Sequence, residues 1–119
     1  MILRQYFKVT GVNNTIAYDD GLRSTEVEKK RLLSVNVIVN QIIDNQVQGY
    51  HERAKVFDIP DRLIDSETDL FTTAYPKPGA RINEIEVGLE IPVGEAFKVA
   101  MKSGATATNL FGCYNYELM

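Results

Sequence analysis

The chain has 119 residues, 45% hydrophobic and 24% charged, which is ordinary globular usage at the length of one domain spanning 1–119. A formal charge of −3 opposes binding to nucleic-acid phosphates, which depends on clustered Lys and Arg. The single cysteine, Cys113, excludes an intramolecular disulfide, and no apolar run approaches the ~20 residues that span a bilayer.

The first strand candidate begins at once, with Leu3, Gln5, Phe7 and Val9 on one face and Arg4, Lys8 and Thr10 on the other. Gly11-Val12-Asn13-Asn14 reads as a turn, because Gly and Asn tolerate positive φ. Ile16-Ala17-Tyr18 is a short extended piece closed by the turn signal Asp19-Asp20-Gly21. Residues 24–31 read as a loop with at most one helical turn, since Thr25-Glu26-Val27-Glu28 matches a capping box. The Lys29-Lys30-Arg31 cluster follows Glu26 and Glu28, so it reads as a solvated, locally neutralised segment.

Leu33, Val35, Val37 and Val39 then alternate with Ser34, Asn36, Ile38 and Asn40, and their β-branched content disfavours helix. Asp44-Asn45 marks a turn before a strand over residues 47–57, in which Tyr50, Ala54 and Val56 oppose His51, Arg53 and Lys55. The acidic connection Asp58 to Asp69 is expected to hold a turn of helix begun at Pro60 or Asp61. Residues 70–75 form another short strand, stopped by Pro76-Lys77-Pro78-Gly79. The clearest pattern comes last. Ile85, Val87, Leu89, Ile91 and Val93, then Phe97, Val99 and Met101, keep one parity while Glu84, Glu86, Glu90, Lys98 and Lys102 take the other. A final strand runs from about Thr106, with Leu110, Gly112, Tyr114, Tyr116 and Leu118 on one face.

Seven to eight strands at short, regular spacing argue a β-sandwich or a closed barrel; the expectation is an all-β, antiparallel sandwich, with a jelly roll as the favoured topology. An antibody-type sandwich needs a cysteine pair around a Trp, and this chain has one Cys and no Trp. A cupin-type metal centre would draw on several histidines, and only His51 is present. An OB-fold nucleic-acid groove would be basic and aromatic.

His51 is the one group that titrates near neutrality, but Glu52 beside it on a strand would point to the opposite face, so a wet-face surface histidine is expected. Cys113 has no neighbouring cation in sequence to ionise its thiol and reads as a packing residue. No Gly-x-Ser-x-Gly elbow accompanies the serines. Asp58, Asp61, Asp65, Glu67 and Asp69 could offer oxygen ligands to calcium, yet they lack the glycine and terminal Glu of an EF-hand loop, and a solvated acidic loop is the expectation. Of six tyrosines, Tyr114 and Tyr116 stand at sugar-platform spacing, although covering one end of the core is the preferred role. No catalytic, cofactor or metal residue is therefore assigned.

The run Ile91-Pro92-Val93-Gly94-Glu95-Ala96-Phe97, then Ser103-Gly104-Ala105-Thr106-Ala107-Thr108-Asn109-Leu110-Phe111-Gly112, closing on Tyr114-Asn115-Tyr116-Glu117-Leu118, resembles the ends of small β-sandwich proteins of virions infecting bacteria or archaea. The resemblance implies a capsid, decoration or turret subunit, often a single jelly roll. Neutral side chains at Asn36, Asn40, Thr72, Thr106 and Thr108 fit a subunit face that is buried wet. The expectation is a non-enzymatic subunit forming symmetric homo-oligomers, in a virion or the cytoplasm. It is expected to take no cofactor, no nucleic acid and no membrane insertion, and residues 1–6 lack a secretory layout. The alternative is a module binding carbohydrate or protein.

Overall fold

The computed structural model describes residues 1–40, 45–64 and 83–119. Along them run β1 (Leu3–Thr10), β2 (Ile16–Tyr18), β3 (Leu22–Arg23), β4 (Lys30–Val39), β5 (Gln46–His51), β6 (Ala54–Pro60), a 3₁₀ turn (Asp61–Leu63), β7 (Glu84–Ile91), β8 (Ala96–Lys102) and β9 (Asn109–Leu118). The expected turn of helix after Pro60 is this 3₁₀ turn, with Pro60 as its N-cap.

The strands pair from the outside of the chain inward. β1 pairs β9, β2 and β3 both pair β8, β4 pairs β7, and β5 pairs β6, all antiparallel. This long hairpin then wraps on itself, setting β9 beside β4 and β8 beside β5. The result is one sheet in the order β1-β9-β4-β7 and a second in the order β2-β8-β5-β6, with β3 also on β8. With β2 and β3 counted as one interrupted strand, the pairing is that of an eight-stranded jelly roll among the described residues.

The interior follows from the alternation. Phe7 and Val9, Leu32, Val35, Val37 and Val39, Phe97, Val99 and Met101, and Leu110 and Tyr114 meet in one core. Burying each such side chain contributes about 1.5–3 kcal/mol. Gly112 sits in the inner layer for a steric reason: a Cβ there would lie 1.9 Å from the carbonyl oxygen of Asn36 and 2.8 Å from the Phe7 ring.

Four expectations are corrected. The register of β4 shifts between Leu32 and Ser34: against β9 Leu33 is an extra residue, while against β7 it faces both Val87 and Gly88, so Leu32 takes the core position and Leu33 does not share a face with Val35. Residues 47–57 do not make one strand. They fold at Glu52-Arg53 into the β5–β6 hairpin, although neither residue is a customary turn former and Glu52 must adopt φ +55°. Asp19-Asp20-Gly21 does not reverse the chain, but interrupts a strand whose two pieces stay on β8. Val93 leaves the alternation and is exposed in the turn between β7 and β8. The strand expected over residues 70–75, the stop at 76–79 and the turn residue Asp44 lie outside the described residues.

Candidate interaction surface

The outward side chains of the four-stranded sheet form rows that change chemistry across it. Arg4 on β1 stands beside Asn115 on β9, then Ser34 on β4, then Glu86 on β7. In the next row Tyr6, Cys113, Asn36 and Glu84 follow one another, and beyond it come Lys8, Phe111 and Ile38. The sheet therefore has a basic side, a neutral middle and an acidic side.

The neutral middle is bonded to itself. Asn115 donates from Nδ2 to Ser34 Oγ at 3.0 Å and also to Asn36 Oδ1. Ser34 donates to Glu84 Oε2 at 3.0 Å, and Asn36 Nδ2 donates to the carbonyl of Asn83 at 3.3 Å. Cys113 Sγ makes weak donor contacts of 3.5 Å to Asn115 Oδ1 and 3.8 Å to Asn36 Oδ1. Burial pushes this thiol's pKa up, against a lesser downward pull from Arg4. An open groove of about 460 Å³ borders the network, lined by Leu33, Ser34, Glu84, Glu86, Val87 and Gly88. Tyr6 is 68% exposed, and the ammonium of Lys8 lies 5.6 Å from the centre of the Phe111 ring. Arg31 ties the acidic side down, pairing with Glu90 and, at 3.5 Å, with Glu117.

The opposite sheet carries a smaller feature. The Tyr18 and Tyr50 rings pack 5.6 Å apart at 59°, and Tyr50 donates its hydroxyl to Gln48 Oε1 at 2.6 Å. A hollow of about 310 Å³ lies against them, completed by Glu52, Arg53 and Lys98.

The residues singled out in the sequence are dispersed. His51 is half-buried at the β5–β6 tip, where Nε2 lies 2.7 Å from Glu95 Oε1. Its acidic neighbour is thus Glu95, because Glu52 turns away and accepts a bond from the Ala96 amide. Cys113 belongs to the other sheet, so the sandwich keeps the thiol and the imidazole apart. Tyr114 is fully buried, accepting from the Val99 amide at 3.1 Å and donating to Asp19 Oδ2 at 2.8 Å, which removes it from any external sugar platform. Tyr116 is half-buried, with the Lys30 ammonium 5.8 Å from its ring centre.

Lys30 overturns the picture of a wholly solvated cluster: it is 8% exposed and donates to the Arg23 carbonyl. In the acidic connection, Asp58 pairs with Lys55 at 3.1 Å, and buried Asp61 accepts from the Asn45 amide at 3.0 Å. Asp65, Glu67, Asp69 and Thr72 lie outside the described residues. Among those described, no cluster of three or more His, Cys, Asp or Glu is placed to hold a metal. Asn36 faces outward as expected, but Thr108 is buried and accepts from Asn45 Nδ2 at 3.2 Å.

The sequence reading missed the lateral charge gradient and the Tyr18–Tyr50 pair. Both depend on which strands become neighbours, which periodicity alone does not report. Among the described residues no helix is long and apolar enough to cross a membrane. Comparison with protein-family models, with curated proteins and with solved structures finds no match to this chain.

Proposed function

We propose that this protein is a non-enzymatic structural subunit that assembles with copies of itself into a larger particle of the virion class. The observation that carries the reading is the outer face of the four-stranded sheet. Its centre is neutral, and its amides and hydroxyl are already bonded to one another, so covering it strands few polar groups. Exposed Tyr6 beside half-buried Phe111 and Ile38 adds the aromatic and aliphatic contact on which interfaces draw. The vocabulary of residues 91–118, which resembles small virion sandwiches, supports the same reading. Sedimentation velocity across micromolar concentrations tests it. Mass should rise with concentration, and a strict monomer throughout contradicts the proposal.

A second reading, a carbohydrate-binding module, is favoured by the Tyr18–Tyr50 pair and its polar hollow. Its platform would be these two rings, since Tyr114 is enclosed. Glycan-array signal lost in Tyr18→Ala and Tyr50→Ala would favour it. A blank array would leave the assembly reading alone.

A further inference from the structure

We infer that copies of this chain join edge to edge, the β1 side of one subunit adding to the β7 side of the next, so that the four-stranded sheet continues from copy to copy. The inference rests on the assembly reading and adds to the outer face a second contact, along the two edges of the same sheet. Among the described residues β1 pairs only with β9 and β7 only with β4, which leaves one side of each strand open. They are the first and fourth strands of an antiparallel sheet, so they run in opposite directions. A second copy added beside the first keeps the antiparallel sense without being turned over.

The two edges carry opposite charge at matching intervals. Arg4 and Lys8 on β1 are exposed and four residues apart, as are Glu86 and Glu90 on β7. Both strands have eight residues. When Leu3 is set against Ile91 and Thr10 against Glu84, so that the strands overlap fully, Lys8 falls opposite Glu86 and Arg4 opposite Glu90. In this register Arg4 joins Arg31, which already bonds Glu90 within its own chain, while Lys8 meets Glu86.

The rest of that register agrees. On the inner side Phe7 meets Val87 and Val9 meets Ile85, so the oily layer continues across the junction. On the outer side Tyr6 meets Gly88, which lies where the β7–β4 register shifts; its φ is +62° and no atom lies within 4 Å of a would-be Cβ, leaving room for the ring. The backbone fits as well. Asn83 accepts from the Val37 amide, so by alternation Glu84 and Glu86 turn their peptide groups to the open side. Asn109 accepts from the Asn40 amide, so Leu110 faces β1, and Lys8 and Thr10 turn theirs outward.

Like charges directly opposite are destabilising, which disfavours β1 against β1 and β7 against β7. Only the head-to-tail pairing remains, and such a contact generates a ring or an open array.

The test is a charge exchange. Arg4→Glu/Lys8→Glu and Glu86→Lys/Glu90→Lys are prepared separately, each shown folded by circular dichroism and melting temperature. Each alone should self-associate about tenfold more weakly or worse, because every edge contact becomes repulsive. Mixed in equal amounts, they should assemble again, since the acidic β1 of one meets the basic β7 of the other. Assembly of either variant alone at wild-type strength, or failure of the mixture to recover, overturns the edge pairing while the assembly reading stands. A wild-type chain that stays monomeric overturns both.

Discussion

Tyr114 shows how much one side chain settles in this fold. It starts on β9 in one sheet, crosses the core, and bonds with its hydroxyl to the Val99 amide of β8 and to Asp19, where β2 breaks from β3. Tyr114→Phe keeps the ring and removes both bonds, which should cost about 1.5–3 kcal/mol by urea titration because one partner is a carboxylate. An unchanged midpoint would contradict this role. Burial, first of all, pushes the Tyr114 pKa far above the ordinary tyrosine range. An unfolded tyrosine ionises at about pH 10 and Tyr114 in the fold does not, so above that pH the unfolded chain binds fewer protons and stability falls by up to about 1.4 kcal/mol per pH unit, the value of one proton. The melting temperature should therefore drop above that pH, and the drop should be shallower in Tyr114→Phe.

Cys113 is raised by burial as well, so its thiolate is scarcer than in a free cysteine at any given pH. Iodoacetamide should label it more slowly in the folded protein than in urea. Equal rates would mean an open thiol. The core placement of Tyr114 was legible from parity, but its hydroxyl partners were not, because Asp19 and Val99 are brought to it by the wrap of the sheets.

At the scale of elements, the sequence was read best where alternation was long and unbroken. β1, β7 and β8 have the expected faces because Phe7 and Val9, Ile91, and Phe97, Val99 and Met101 hold one parity toward the core. It was read worst where one residue breaks the count. The Leu33 bulge moves Leu32 and Lys30 inward without any glycine or proline in β4 to announce it. The Glu52-Arg53 reversal carries no turn chemistry of its own, and is held instead by the neighbouring strand β8, through the Glu52–Ala96 contacts at 2.8 and 3.1 Å. Gly112 supplies the test at this scale. Because β9 lies between β1 and β4, a methyl group there must push the Asn36 backbone aside, and Gly112→Ala should lose about 1–3 kcal/mol or more and lower the melting temperature. A variant as stable as the parent would mean that β9 and β4 are not packed in this register.

At the scale of the molecule, period-two patterning was enough for an all-β sandwich, because a sheet with one wet face writes it directly into the sequence. The jelly-roll order rests on pairings such as β1 with β9, which join the two ends of the chain and leave no local mark. The same non-locality hid the interaction surface. Arg4 and Lys8 look like routine edge charges until β7, with its three outward glutamates, is found at the far side of the same sheet. Amide hydrogen exchange on the wild-type chain, compared between dilute and concentrated samples, probes that surface without any substitution. The outward-turned amides of Lys8, Thr10, Glu84 and Glu86 should gain protection as mass increases, while those on the side of β6 that, among the described residues, has no partner strand should stay unchanged. Assembly that leaves the β1 and β7 amides exchanging freely would contradict it.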